Sequence, residues 1–550
     1  MRNIVDARSV PEDETIDTDV CVVGAGVAGI TLAREFIGRG FQVCLLESGD
    51  LKFDQQTQSL CLGDSTGHPY FPLHEARARY FGGSANFWEI DIGNNRIGAR
   101  LRPLDPIDFE ERDGIPHSGW PFRKPHLDPF YERAQIICRV EPATYDLEAW
   151  EDPEKAPRLP FVPGRVDTVI FKFGWRDVFT RDYAYEITHR ADNILTFLFA
   201  NVIEIEADEA ARSVRRLRVA CLAGNKFWVA AKIFILAAGG IETPRLLLLS
   251  NKVQNVGVGN QHDLVGRYFM EHLHFTSGIF VPAHAQVYES AALYSGIHKV
   301  GQVPVIGKLA LTEEVLRRER LLNQNVQLIP RSVSDADLYS SILSKGTTSF
   351  QAVRSAVRRG HLPKAFGGHL RNIISDLDAL GISAYRKIRR DIIGKVATGE
   401  GVQAFHLAHI AEQTPNPDSR VSLADECDCL GLNRVRLHWQ LSAIDILSTV
   451  RTQQIIGEEL RRAGLGRLFI QHRDATLPPD LHGGYHHMGT TRMHTDPRQG
   501  VVDERCRVHG ISNLFIAGPS VFPTGGYANP TLTTVALAVK LADDVKRTLG

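Results

Sequence analysis

The chain is poor in cysteine, in net charge and in long apolar runs, and each shortage removes a class of protein. Eight cysteines in 550 residues cannot build the dense disulfide framework of a small secreted scaffold. Cys21 and Cys44 stand inside apolar runs and read as small buried hydrophobes. Cys427 and Cys429 form a lone C-x-C with no second Cys/His pair beside it, so no metal site is expected. With 63 Lys+Arg against 64 Asp+Glu, the formal net charge of -1 recommends no nucleic acid as a partner. No stretch approaches the roughly 18 to 20 apolar residues that span a bilayer. The opening segment MRNIVDARSVPEDETIDTDV lacks the apolar core and small-residue cleavage site of a secretory signal. Membrane insertion is therefore not expected, and the cytoplasm is the default location. A Ser/Pro/Gly-rich linker is missing too, which implies interleaved domains in one body rather than separable units.

What is present begins with DVCVVGAGVAGITLAREFIGRGFQVCLLESGD, which reads as strand, glycine turn, helix and strand. Gly24, Gly26 and Gly29 give G-x-G-x-x-G at the point where the helix opens. Gly24 permits the turn, Gly26 lets the backbone approach a pyrophosphate, and Gly29 allows close packing of helix on strand. Glu47 ends the second strand, where a carboxylate would accept bonds from ribose hydroxyls and repel a 2′-phosphate. This motif alone does not separate FAD from a nicotinamide cofactor.

Near the other end, HGGYHHMGTTRM and the later YANPT are dense in glycine, histidine and turn residues, as loops that surround a site are. Asn513 to Ala517 reads as a strand, Gly518-Pro519 as a turn, Asn529 as an N-cap and Pro530 as a first helical residue. That helix would direct its positive end at whatever precedes it, and negative charge developing on a flavin would be stabilised there. His486 and His487 are adjacent, so one faces a site while the other packs or caps.

Five separated segments now carry a resemblance: VVGAGVAG with Glu47, RYFGGSANFWEI, SGWPFRKPHLDPFYERA, ILAAGGIETPRLLLLSN, and HHMGT with YANPT. The chain resembles the glucose-methanol-choline (GMC) flavoprotein oxidoreductases. Its look is closest to the sugar-oxidising branch around pyranose 2-oxidase and fructose dehydrogenase. The resemblance implies an α/β FAD-binding domain, Rossmann-like and of the GR2 type, interleaved with an α+β substrate domain built on an antiparallel sheet. The expected division gives residues 13–125, 195–274 and 480–550 to FAD, and 126–194 and 275–479 to substrate. It also implies catalytic roles for His486 and Asn529. Gly24, Gly26, Gly29, Glu47, Gly82, Gly83, Asn86, Val202, Ala238, Gly518, Asn529, Pro530 and Thr531 would hold the cofactor. Family members that attach flavin covalently have a histidine before the tryptophan of the second segment; Phe87 precedes Trp88 here, which implies non-covalent FAD. Gly240 departs from the alanine or proline of the family pattern and is expected only to loosen a backbone contact.

The implied reaction oxidises an alcohol, a sugar, glycoside or polyol: neutral His486 takes the hydroxyl proton, Asn529 holds the developing alkoxide, and flavin takes the hydride. Dioxygen, a quinone or a redox protein would then re-oxidise the flavin. A non-sugar alcohol, a non-redox lyase of the same family and a nicotinamide-dependent reductase are the alternatives. Between Phe275 and Arg467, alternating apolar stretches suggest an antiparallel sheet forming the substrate wall. Within it, residues 345–395 carry eleven Lys/Arg against three acids and read as helical insertion with a solvated face. A partner interface, a lid or an anionic lipid contact are the competing readings. His272, His274, His406 and His409 are expected to be packing residues.

Overall fold

A computed structural model describes residues 3–333, 402–470 and 478–550. The basic stretch 345–395 lies outside these residues. Val20 to Val23 and Val43 to Leu46 are buried along their whole length, because a parallel strand is covered on both faces and needs a continuous apolar run. These two strands pair in parallel, with Ile4–Asp6 and Ile194–Leu198 on one side and Lys226–Leu236 and Leu514–Ile516 on the other. Val214–Ala220 and Asn201–Ala207 extend this sheet as antiparallel strands. The helix Val27–Phe36 packs on the C-terminal helix Thr531–Leu549. Arg133 bridges Glu35 and Asp543 across them.

The second sheet is antiparallel throughout its described pairs and runs from Gly466–Ile470 through His272–Pro282, Val402–Glu412, Gln324–Val333, Val303–Leu311 and Val166–Trp175 to Ile97–Leu101. Its two faces differ in chemistry. Ile170, Val305, Leu309, Val326, Leu328 and Leu407 turn one way into an apolar core with the helix Ala443–Arg462. The alternate residues, among them Lys308, Asn325, Gln327, His272 and His274, face the first sheet's end of the molecule. A third, smaller sheet joins Arg420–Cys427, Asn433–Trp439 and Gly63–Gly67.

Pairing and packing cross the expected division at several places. Ile90–Asp91 and Ile97–Leu101 pair into the antiparallel sheet rather than the nucleotide side. Asp128–Cys138 packs on the C-terminal helix of the nucleotide side rather than on the substrate sheet. Ile4–Asp6, upstream of residue 13, adds an edge strand to the parallel sheet. Short strands and one amphipathic helix carry no local mark of which sheet will accept them; pairing partners far along the chain decide.

Gly24 adopts φ +102°, and a Cβ there would meet the Ala237 carbonyl oxygen at 2.8 Å. At Gly29 a Cβ would fall 1.9 Å from the Gly24 carbonyl oxygen, so helix and turn touch through bare backbone. Gly29→Ala is expected to cost about 1–3 kcal/mol, read as a lowered melting temperature of the apoprotein; an unchanged melt would show that this contact does not hold the turn.

Candidate active site

One cleft runs from the glycine turn to the C-terminal helix, and Gly24, Gly26, Glu47, Gly83, Val202, Ala238, His486, Gly518, Asn529, Pro530 and Thr531 all line it. Gly29, Gly82 and Asn86 do not. Gly29 lies behind the turn. Gly82, at φ +95°, makes a second turn, and the Asn86 Nδ2 donates to the carbonyls of Phe81 at 3.0 Å and Gly83 at 2.9 Å, pinning it. The two turns dock on each other: the Gly82 N–H donates to Ala25 at 2.8 Å, and a Cβ on Gly83 would meet Gly26 Cα at 2.9 Å.

At the far end of the cleft, Glu47 is buried, and its carboxylate oxygens accept the N–H groups of Ala25 and Gly49, each at 2.9 Å. Burial raises its pKa against those donors. Beyond it lies a buried charge network that the sequence reading did not single out. Glu242 receives Arg77 at 2.7 Å and Arg79 at 3.0 Å, and Arg245 pairs with Asp428 at 2.7 Å.

His486 is placed by backbone pairing. The loop carrying it is sewn to the strand His272–Pro282 by two reciprocal pairs, Met270 with Met488 and His274 with His482, at 2.9–3.0 Å. Between those pairs Glu271 Oε2 accepts the N–H groups of Gly484 at 3.0 Å, His486 at 2.9 Å and His272 at 3.2 Å, while Oε1 accepts the Tyr70 hydroxyl. Burial nevertheless pushes the Glu271 carboxyl up to about 7. His487 also borders the cleft, and its Nε2 holds the Tyr70 hydroxyl at 2.9 Å. Gly240 is where the sequence expectation is corrected: a Cβ there would lie 2.2 Å from the His487 carbonyl oxygen, so its glycine admits the histidine loop instead of loosening a contact.

The hydrogen-bond chain at His486 determines its tautomer. Asn529 Nδ2 can only donate, so the His486 Nε2 at 3.1 Å accepts and keeps a lone pair. His486 Nδ1 therefore carries the hydrogen and donates to His272 Nδ1 at 2.9 Å, and His272 Nε2 donates to the Gly525 carbonyl at 3.4 Å. Both rings are neutral in this arrangement. Burial, then the neighbouring His272 and His274, hold the His486 pKa well below its ordinary value, and burial brings His272 to about 4. Asn529 does not cap the helix as expected: no side-chain cap bond forms there, and its amide is committed to His486. Its Oδ1 is buried without a partner.

His272 is the residue sequence reasoning underrated, having been expected only to pack. The available signal was the EHLH run, which sets His272 and His274 on one strand face two residues apart. His409 does pack, bonded to Gln324 at 2.9 Å and Ser277 at 2.6 Å and stacked on Phe275. All eight cysteines are free, and no group of side chains suited to a metal exists among the described residues.

The cleft thus opens on a glycine turn of the dinucleotide-binding pattern and ends on a buried histidine–asparagine pair. Residues 415–538 match the family model described as GMC oxidoreductase. The chain is 26% identical to the 2-methyl-1,2-propanediol dehydrogenase of Mycolicibacterium austroafricanum over 96% of this chain and 95% of that one. It is 27% identical to the fructose dehydrogenase large subunit of Gluconobacter japonicus over 58% of this chain, a match that spans 47% of that relative. Among solved structures, formate oxidase superposes with TM-score 0.53 at 16% identity, covering 98% of this chain and 99% of that one. Residues 415–538 are thus similar to the GMC oxidoreductases, a family whose members bind FAD.

The residues present fit that cofactor. At Gly26 a Cβ would meet nothing nearer than Gly83 Cα at 3.9 Å, so this face of the turn is open toward the cleft, and the first turn of the helix Thr531–Leu549 borders the other end. Glu271→Gln would place an amide donor among N–H donors. It is expected to cost about 1–3 kcal/mol of stability and to displace the His486 loop, read together as a lowered melting temperature and weakened flavin retention; a variant unchanged in both would remove Glu271 as the loop's anchor.

Proposed function

We propose that this protein oxidises the alcohol group of a small molecule, a sugar, glycoside or polyol, to a carbonyl, using non-covalently held FAD. The observation that carries this reading is the lone pair on His486 Nε2, kept free of protons by burial and directed beside Asn529 at the end of the nucleotide cleft. Phe87, in place of a histidine before Trp88, supports non-covalent attachment.

Bound FAD supplies the acceptor for the hydride that leaves the carbinol carbon. The chain supplies the proton chemistry. His486 Nε2 takes the hydroxyl proton, and Asn529 Nδ2, released from that nitrogen by the substrate oxygen, donates to the developing alkoxide. As His486 becomes cationic, its Nδ1–H strengthens the bond to His272, whose own Nε2–H rests on the Gly525 carbonyl. His272 thereby keeps the lone pair on the nitrogen that faces the cleft, a tautomer-setting role. The names of two relatives, a fructose dehydrogenase and a propanediol dehydrogenase, support a hydroxylated substrate. Dioxygen, a quinone or a redox protein completes the cycle.

Anaerobic mixing with a panel of sugars, glycosides and polyols should bleach the flavin absorbance. Carbonyl product formed with no bleaching would establish the lyase alternative instead. His486→Ala is expected to slow bleaching roughly 10²-fold or more; near-native rates in stopped flow would sink the assignment. His272→Leu leaves the Nδ1–H without its acceptor and should cost at least about tenfold.

The pH profile follows from the sign of the shift. Neutral His486 is the reactive form and its pKa is lowered, so His486 itself should add no loss of bleaching between about pH 8 and about pH 6, where the Glu271 carboxyl titrates. An inflection near the ordinary histidine value of about 6.5 that persists in Glu271→Gln would contradict it.

A further inference from the structure

The face of the antiparallel sheet that carries His272 and His274 also carries two cations that no acid among the described residues matches. Strand register sets this face. Ala310 pairs with Asn325, Asn325 with Ile410, and Ile410 with His274, so these four residues form one row across the sheet. Lys308 stands two residues from Ala310 on the same side, opposite Val169. Arg100 lies opposite Phe173, which shares Val169's face. The row reaches the chemistry directly: Lys308 Nζ donates to Asn325 Oδ1 at 2.8 Å, and Asn325 Nδ2 donates at 3.5 Å to the carbonyl of Tyr527, two residues before Asn529. At the other end, the His274 ring lies 6.2 Å from the His486 ring.

Most other buried cations among the described residues are matched by acids or by several oxygens; Arg492, held by the His117 carbonyl at 2.8 Å and the Tyr268 ring, is the exception. Arg112 meets Glu412, and Arg245 meets Asp428 and Glu242. Lys172, on the opposite face, has the oxygens of Gln135, Val140 and Pro142 around its ammonium. Lys308, fully buried, makes one hydrogen bond among the described residues, to Asn325, and its ammonium lies 5.2 Å from the centre of the Phe171 ring. Arg100 reaches Gln327 Oε1 at 3.4 Å, and its Nε is buried without a partner, as is His274 Nε2. Burial pulls Arg100 down to about 10, and burial together with Arg100 pulls Lys308 well below its ordinary value. Cations left this way are costly unless a ligand completes them.

We propose that the alcohol this enzyme oxidises carries an oxyanion, a carboxylate or a phosphate, held by Arg100 and Lys308 while His486 takes the hydroxyl proton. The inference rests on the oxidation reading above and names the substrate class for the same site. A planar guanidinium and a point-like ammonium together suit either oxyanion, and the rigid sheet sets how far the charge sits from the reacting carbon.

The test titrates the FAD-loaded protein with D-glucuronate, D-glucose 6-phosphate, inorganic phosphate and D-glucose, followed by calorimetry. The oxyanions are expected to bind at least tenfold tighter than D-glucose; whichever sugar anion binds tighter distinguishes carboxylate from phosphate. Arg100→Met and Lys308→Met should each weaken oxyanion binding tenfold or more and shift D-glucose less than threefold. Both variants remove an unmatched cation, so the ligand-free melting temperature should hold or rise; a fall of several degrees would show a structural ion pair and overturn the proposal. Equal binding of neutral and anionic sugars, or equal shifts for all of them, would overturn it too. So would a change in flavin reduction potential with unchanged oxyanion affinity, which would assign the cations to the cofactor. Oxyanion binding that the variants lose, with no alcohol bleaching the flavin, would fail the oxidation reading alone.

Discussion

The hydrogen bond from His486 Nδ1 to His272 Nδ1 joins the two halves of the protein at the point where they must agree. One ring belongs to a strand of the antiparallel sheet, the other to a loop that leads back to the nucleotide cleft. If the sheet shifted by one residue, His272 would turn to the apolar face, His486 would lose its acceptor, and the lone pair could move to the wrong nitrogen. Burial does the rest: with no solvent to stabilise a cation, both rings stay neutral, and the nitrogen beside Asn529 remains basic in form. The parallel strands, the close turns and the third sheet serve to bring a cofactor cleft up to that nitrogen.

Two glycines illustrate how little tolerance the approach has. Gly29 lets a helix lie against a turn, and Gly240 lets the histidine loop lie against the helix that follows Ala238. In each case the contact is backbone on backbone, which no side chain could replace. Charge is treated more variably: Arg112, Arg245 and Arg77 are buried with carboxylates, whereas Arg100, Lys308 and Arg492 have no carboxylate partner among the described residues.

Much of the nucleotide half was legible in the linear pattern. Gly24, Gly26, Gly29 and Glu47 are local features, set by turn geometry and by continuous apolar strands, and they need only neighbours in sequence. His486 and Asn529 could be picked out by their resemblance to a family pattern, 43 residues apart on one loop-and-helix segment. Less was visible elsewhere. Asn86, expected along the cofactor, also clamps the Gly82 turn, a role its linear context does not announce. Asn529 looked like a helix cap and instead commits its amide to a histidine. Such exchanges arise because one side chain has several chemically equivalent partners within reach, and only packing selects among them.

The amino-acid sequence by itself determined the glycine turn and the buried parallel strands, because these follow from short-range backbone constraints and from side-chain type, and its resemblance to a family pattern pointed to His486 and Asn529. Tertiary structure alone decided the partner of His486, the anchoring of its loop by Glu271, and the company that Lys308 and Arg100 keep. His272 lies 214 residues from His486, and Asn325 lies 202 from Tyr527. Strand register brings such pairs together, and register is set by the summed burial of a whole sheet face, a quantity that no local stretch of sequence contains.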